Sequence, residues 1–298
     1  MIPGQFDYYA PGSLQEAVSL LQEHGTDAMV LAGGQSLIPA MRFRLSVPGV
    51  LIDLNHIDDL RYIRESDGHL VIGAMCRESM VEDAEVVRSQ YPLLADAARV
   101  IADPLVRNRA TVGGNLAHAD PANDHPAVML AYGAELVAQG PEGTRTIAVD
   151  DFFVDLFENA LADDEILTAI RIPTPGPGSG GAYVKLERKV GDYAISAVAV
   201  QLTLEDERCT AARIGLTNVS PVPMRAVAAE DVLVGQTLTD GEATASLLEE
   251  AGRAAAAACD PTPDLRGSEA YKRDLTRVLT KRAIRQAITR AKGGGGER

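Results

Sequence analysis

The spacing of apolar residues divides the chain into helical and extended stretches. Between Ser13 and Gly25, Leu14, Ala17, Val18 and Leu21 recur at three- and four-residue intervals, which puts them on one face of a helix. Ser13 and Glu16 make a capping-box pair at its start, and Gly25 supplies its stop. Residues 28–32 read as a strand running straight into Gly33-Gly34-Gln35-Ser36. A helix over 37–45 and a second strand over 50–54 complete a compact βαβ-like unit. From about residue 58 the elements shorten. The pattern predicts a strand over 69–74, helices over 80–90 and 92–102, and a loop-rich stretch over 103–124. After it come an apolar helix over 126–132, a hairpin of 134–138 with 144–149 turned at Pro141-Glu142-Gly143, and a strand over 166–172.

Residues 173–181, Pro-Thr-Pro-Gly-Pro-Gly-Ser-Gly-Gly, are expected to be a linker, because alternating Pro and Gly can continue neither helix nor strand. Beyond it, 195–204 and 209–219 read as an antiparallel pair, and 225–234, 240–259 and 270–291 as helices. In the last helix Leu275, Leu279, Ala283 and Ala287 recur every four residues with Val278 beside them, a face that packs on other structure. The expected fold is α+β. It comprises an N-terminal unit over 1–57, a central strand-rich unit over 58–174, a C-terminal sheet-and-helix domain over 182–292 and a frayed tail over 293–298.

Composition narrows the function. With 298 residues and 46% hydrophobic side chains, the chain can bury a core and divide into two or three compact units. It has no run of roughly eighteen apolar residues, and its opening MIPGQFDYYAPGS lacks a basic or apolar secretory region, so a cytoplasmic location is expected. Cys76, Cys209 and Cys259 form no CxxC or CxH spacing, so neither a disulfide framework nor an iron–sulfur or zinc site is encoded. Metal chemistry would have to come from partner chains. A formal charge of −14 without a Lys/Arg-rich run argues against nucleic acid or an anionic membrane surface as partner.

The strongest chemical signal is a pair of similar tight loops, Ala32-Gly33-Gly34-Gln35-Ser36 and Thr111-Val112-Gly113-Gly114-Asn115. Adjacent glycines let backbone amides approach an anion closely, and Ser36, Thr111 and Asn115 add side-chain donors, so two such loops could hold the two phosphates of a dinucleotide. Taken singly, each Gly-Gly reads as a plain turn; the pair is the more specific signal. Neither fits G-x-G-x-x-G or the P-loop pattern, which leaves a Rossmann or P-loop reading unsupported. His118, Asp120, Asp124 and His125 are metal-ligand types, but Pro121 and Pro126 would splay them, and no G-x-S-x-G surrounds Ser36 or Ser196.

The motifs A-G-G-Q-S, T-V-G-G-N and Lys189-Val-Gly-Asp-Tyr193-Ala, in this order and spacing, resemble the FAD-binding subunits of the xanthine dehydrogenase and carbon monoxide dehydrogenase family. The likeness extends from the opening Met-Ile-Pro-Gly-x-Phe-Asp-Tyr through Ile101-Ala-Asp-Pro104, Asp120-Pro-Ala-Asn-Asp124 and Ile214-Gly-Leu-Thr-Asn-Val219 to Arg266-Gly267, and is greatest to the carbon monoxide dehydrogenase branch. The resemblance implies that Ala32, Gly33, Gly34, Gln35 and Ser36, with Thr111, Gly113, Gly114 and Asn115, wrap the FAD pyrophosphate. It implies that Asp124 bonds toward the ribityl and adenosine portion, that Ile101 packs on the flavin, that Leu167 and Lys185 make further flavin contacts, and that Tyr193 lies over one isoalloxazine face. No residue of this chain is implied as catalytic or as a metal ligand.

The implied assembly pairs the chain with a large molybdenum-cofactor subunit and a small subunit carrying [2Fe–2S] clusters, as a dimer of heterotrimers, cytoplasmic or peripheral at the inner membrane. The acceptor would be quinone, NAD or oxygen. Read without the family, Ile101 and Leu167 are ordinary core, Lys185 alternates like a strand's solvent face, Asp124 could cap the helix near Pro126, and Tyr193 could be a turn residue. Two other functions stay open: the FAD subunit of a purine, aldehyde or N-heterocycle dehydrogenase, and a self-contained flavin oxidase or assembly scaffold.

Overall fold

The computed structural model describes residues 2–293, so most of the expected tail lies outside the described residues. The chain opens with β1 (Asp7–Tyr9), α1 (Leu14–His24), β2 (Ala28–Leu31), α2 (Leu37–Phe43) and β3 (Val50–Asp53), whose strands form a parallel sheet in the order β1-β3-β2. The hydroxyl of Ser13 accepts the Glu16 amide at 3.2 Å, and the Glu16 carboxylate reaches back to the amide of Gly12 at 3.0 Å, one residue before the usual capping-box partner. Gly25 ends the helix at φ 53°, where a side chain would be strained. Ala17, Val18 and Leu21 bury themselves against Val50, Ile52 and Leu54.

The second stretch runs β4 (Ile63–Ser66), β5 (His69–Gly73), α3 (Glu78–Asp83), α4 (Glu85–Gln90), α5 (Pro92–Val100), α6 (Pro104–Arg107), α7 (Val112–Ala117), α8 (Asp124–Tyr132), β6 (Glu135–Gly140), β7 (Gly143–Ala148), β8 (Phe153–Asp155), β9 (Glu158–Asn159) and β10 (Ile166–Pro173). Five of these strands form an antiparallel sheet, β4-β5-β10-β6-β7. Two expectations change. The single helix expected over 80–90 is two helices broken at Ala84, whose ψ of 121° is extended although no Gly or Pro marks it. The stretch read as loop over 103–124 holds α6 and α7, each started by a side-chain cap from Asp103 or Thr111. All nine residues of α8 are buried.

The third stretch contains β11 (Ser179–Glu187), β12 (Ala194–Glu205), β13 (Arg208–Thr217), β14 (Met224–Arg225), α9 (Val227–Leu233), α10 (Glu242–Ala258) and α11 (Glu269–Ala291), with the strands in one antiparallel sheet, β11-β12-β13-β14. Helix α11 packs on β11 and β12, while α5 touches β11 and α8 touches β12 and β13. Ser179, Gly180 and Gly181 were expected in the linker but are strand, because Gly180 is where α11 crosses: a Cβ there would sit 2.1 Å from the carbonyl oxygen of Ala287. The buried face of α11 also differs from the expected one. It uses Thr276, Leu279, Thr280, Ala283, Ile284, Ala287 and Ile288, and leaves Leu275 and Val278 half-buried. Near its end Arg290 forks onto Asp96 of α5 at 2.6 and 3.0 Å and donates to the carbonyl of Gly181. No helix among the described residues is long and apolar enough to cross a membrane.

Candidate functional site

Strand β2 ends at Leu31, and the chain turns through Gly33 and Gly34 into α2. Gly34 has φ 72°, a left-handed conformation that a side chain would resist. Here the expected amide cradle exists: the backbone N–H groups of Gly33, Gly34, Gln35, Ser36 and Leu37 meet no acceptor among the described residues. All five residues line one cavity.

The second Gly-Gly works differently from the expected twin loop. It lies in the first turn of α7, and its amides are already used. Val112 donates to the Cys76 carbonyl at 3.1 Å, Gly113 to that of Ala74 at 3.0 Å, Gly114 to the Thr111 hydroxyl at 3.2 Å and Asn115 to the Thr111 carbonyl at 2.9 Å. What the segment presents to the cavity is the Asn115 side chain, whose Oδ1 is buried without a donor. Its glycines serve contact between chain segments. A Cβ on Gly113 would come within 2.4 Å of the Ala74 Cβ, and one on Gly33 within 2.4 Å of the Arg109 carbonyl oxygen. A Cβ on Gly114 would stand 2.7 Å from the Thr111 hydroxyl and 3.4 Å from the Ala32 Cβ, so the two glycine segments abut.

The cavity has a volume of about 660 Å³, within the range of roughly 300–1,000 Å³ usual for small-molecule sites. Ala32, Thr111, Gly113 and Gly114 line it along the seam, Ile101 and Leu167 form apolar wall, and Asp124 and Tyr193 reach it from α8 and the loop before β12. Among the predicted residues Lys185 is the exception. Its side chain is 3% exposed and sits behind Asp124, with Nζ 3.0 Å from Asp124 Oδ2, 3.0 Å from the Val100 carbonyl and 3.3 Å from Glu187. Tyr183 donates its hydroxyl to the other Asp124 oxygen. Burial pushes the Asp124 pKa upward, against the opposing pull of Lys185 and these hydrogen bonds. Asp124 is not a cap either; Asn123 precedes the helix and spends its amide on the Asn115 carbonyl at 2.9 Å.

Tyr193 is 42% exposed, and the Arg266 guanidinium stands 5.6 Å from its ring centre, fixed by a 2.9 Å bond to Asp192. No Lys or Arg among the described residues lines the cavity, so an anion there would be held by neutral donors. Sequence reasoning weighed His118 only as a metal-ligand type and missed Phe157 and Asn159, all three of which line the cavity. The rings of His118 and Phe157 lie 5.2 Å apart, and Asn159 donates to the Ala117 carbonyl at 2.7 Å. Burial lowers the His118 pKa. Phe157 sits in the β8–β9 turn at φ 59°, which no sequence periodicity marks.

The four metal-ligand types of this region diverge. His125 turns into the core, with Nε2 2.7 Å from Glu78 and both side chains fully buried, while Asp124 is committed to Lys185 and Tyr183. Burial opposes a charge on His125, but Glu78 prevails and raises its pKa.

Residues 4–175 match the family model described as the FAD binding domain in molybdopterin dehydrogenase, and residues 181–287 match the CO dehydrogenase flavoprotein C-terminal domain. The chain is 44% identical to the carbon monoxide dehydrogenase medium chain of Afipia carboxidovorans, over 98% of this chain and 100% of that one. It is 36% identical to the 6-hydroxypseudooxynicotine dehydrogenase complex subunit alpha of Paenarthrobacter nicotinovorans, over 98% and 97% respectively. A solved structure of carbon monoxide dehydrogenase from Hydrogenophaga pseudoflava, lacking the Mo-pyranopterin moiety of its cofactor, superposes with a TM-score of 0.93 at 45% identity, covering 97% of this chain and 99% of that chain. The chain thus belongs to the family of FAD-binding flavoprotein subunits of molybdopterin dehydrogenases, with a carbon monoxide dehydrogenase flavoprotein domain at its C-terminal side.

Proposed function

We propose that this chain is the FAD-carrying relay subunit of a molybdenum hydroxylase that oxidises carbon monoxide. The observation that carries the reading is the row of five unpartnered amides, Gly33 to Leu37, facing a cavity whose other walls combine apolar Ile101 and Leu167 with polar Asn115 and Asp124. These amides suit a pyrophosphate, since oriented N–H groups hold phosphate oxygens without a cation. The orphaned Asn115 Oδ1 is placed to accept from a ligand hydroxyl or amine. Ile101 and Leu167 exclude water from one side, and Tyr193 offers a flat ring that Arg266 holds at the mouth. Asp124, its carboxylate oriented by Tyr183 and Lys185, fixes the polar end of the ligand, so Lys185 acts through Asp124 rather than on the ligand. FAD bound there supplies the redox centre between a partner's [2Fe–2S] clusters and an external acceptor such as quinone, NAD or oxygen.

The proposed partners are a large molybdenum subunit and a small iron–sulfur subunit, assembled as a dimer of heterotrimers in the cytoplasm or at the inner face of the membrane. The 44% identity to a carbon monoxide dehydrogenase medium chain supports carbon monoxide as the substrate of the complex. The 36% identity to a 6-hydroxypseudooxynicotine dehydrogenase complex subunit supports a second reading, the same relay serving another substrate, such as an N-heterocycle. The test is the visible spectrum of the complex drawn from its host through a tag on this chain, recorded anaerobically before and after adding carbon monoxide. Bleaching of flavin and iron–sulfur absorption is expected. A preparation active on an N-heterocycle whose spectrum carbon monoxide leaves unchanged selects the second reading, and one with no flavin and no partners refutes both.

A further inference from the structure

Beside the glycine segments, and sharing none of the cavity's lining residues, lies an open hollow of about 460 Å³ lined by Asp53, Asn55, Arg61, Arg77 and Arg109. Three guanidinium groups and one carboxylate face it. The carboxylate is occupied by neutral donors: Asp53 accepts the Tyr8 hydroxyl at 2.6 Å and the Asn55 amide at 2.8 Å, and no arginine pairs with it among the described residues. Arg77 spends its two terminal nitrogens on Asn55 Oδ1 and on the Arg109 carbonyl at 2.8 Å, and meets no carboxylate. Arg61 pairs outward with Asp58, which is 86% exposed, and donates its other terminal nitrogen to the Asn55 carbonyl, while its Nε is buried without an acceptor. The guanidinium of Arg109 is exposed and has no acceptor among the described residues. Burial, and then the charges of Arg61 and Arg109, depress the Arg77 pKa against the smaller opposing pull of Asp53.

In a chain of net charge −14, three arginines gather around a single carboxylate, Asp53, that neutral donors occupy, and the one direct ion pair, Arg61 with exposed Asp58, is made outside the hollow's lining, so the hollow keeps an excess of positive charge. Guanidinium forks match the paired oxygens of carboxylate and phosphate, and are the side chains that recognise them most specifically. We propose that the hollow is an oxyanion site, in which Arg61, Arg77 and Arg109 bind a phosphate or carboxylate group distinct from any ligand of the larger cavity. This does not depend on the larger cavity holding FAD.

The test titrates inorganic pyrophosphate by calorimetry, in phosphate-free buffer of low ionic strength, into the full chain saturated with FAD and into the complex isolated from its host. Saturable binding is expected, weakened roughly tenfold or more by both Arg61→Gln and Arg109→Gln, with bound-flavin absorbance unchanged. Neither change touches the larger cavity, so pyrophosphate lodging on the Gly33–Leu37 amides would be indifferent to both; circular dichroism excludes misfolding, and either folded variant suffices. Binding to chain and complex alike identifies a free phosphate as the ligand. Binding to the chain alone identifies an oxyanion of a partner subunit that fills the site on assembly. Binding to neither, or binding that the folded variants leave unchanged, overturns the proposal.

Discussion

The seam between the two glycine segments makes Gly33→Ala the most informative single change. The new Cβ would stand 2.4 Å from the Arg109 carbonyl oxygen and 2.8 Å from the Ala110 Cα, where ordinary contact begins near 3.4 Å, so one side must retreat by about 1 Å. Which side moves follows from the hydrogen bonds. The 109–110 backbone is held by Arg77 on the Arg109 carbonyl at 2.8 Å, by the Glu78 amide on the Ala110 carbonyl at 3.0 Å and by the Ala110 amide on Val106 at 2.8 Å. The 33–37 segment has no such ties on its amides, so it gives way. Relaxation therefore relieves the free protein, and the overpacking strain of about 1–3 kcal/mol reappears when FAD requires the segment to return. That corresponds to about a fivefold to 150-fold weaker Kd. Gly176→Ala, at an open position with ordinary φ, is the control. FAD affinity is read by flavin fluorescence on the full chain, and stability by thermal melting. The reasoning fails if Gly33→Ala keeps its FAD affinity within twofold of the parent, or if the loss appears wholly as a lower melting temperature of the apo chain.

Three further outcomes follow from buried contacts. Lys185→Met should destabilise by about 3–5 kcal/mol in urea unfolding, because Asp124 and Glu187 are left without their cation, and adding Asp124→Asn should restore part of the loss; an additive double variant would contradict the pairing. His125, whose pKa is raised in the fold, contributes stability that is complete below about pH 6.5 and is lost as pH rises through its folded value. Urea melts across neutral to alkaline pH should thus show a decline that Glu78→Gln removes; an unaltered slope in that variant counts against the ion pair. Gly180→Ala should push α11 off β11, costing about 1–3 kcal/mol, measurable by urea unfolding.

How legible these features were differs from place to place for physical reasons. The first glycine loop was readable because strand, Gly-Gly and helix follow in order, and its free amides match that reading. The second was misread as a loop. Glycine is a poor helix former, and the Thr111 hydroxyl, which caps α7 despite two glycines, reads in the sequence as a ligand donor. Lys185 alternates outward on β11, and alternation locates solvent only when one sheet face is wet; here α11 covers one side and α5 contacts the other. The same double covering explains why the glycines after the Pro/Gly stretch are strand. Phe157 and the break at Ala84 depend on tertiary contacts that leave no periodic trace.

The fork of Arg290 on Asp96 joins residues 194 positions apart and also grips the first strand of the C-terminal sheet. Synthesis proceeds from the N-terminus, so α5 and both glycine segments exist long before α11 can clamp them. The loop bearing Tyr193 leads directly into β12, which α11 covers, so its full support awaits that helix. The glycine seam of the pocket is thus encoded entirely upstream of the helix that backs its Tyr193 rim.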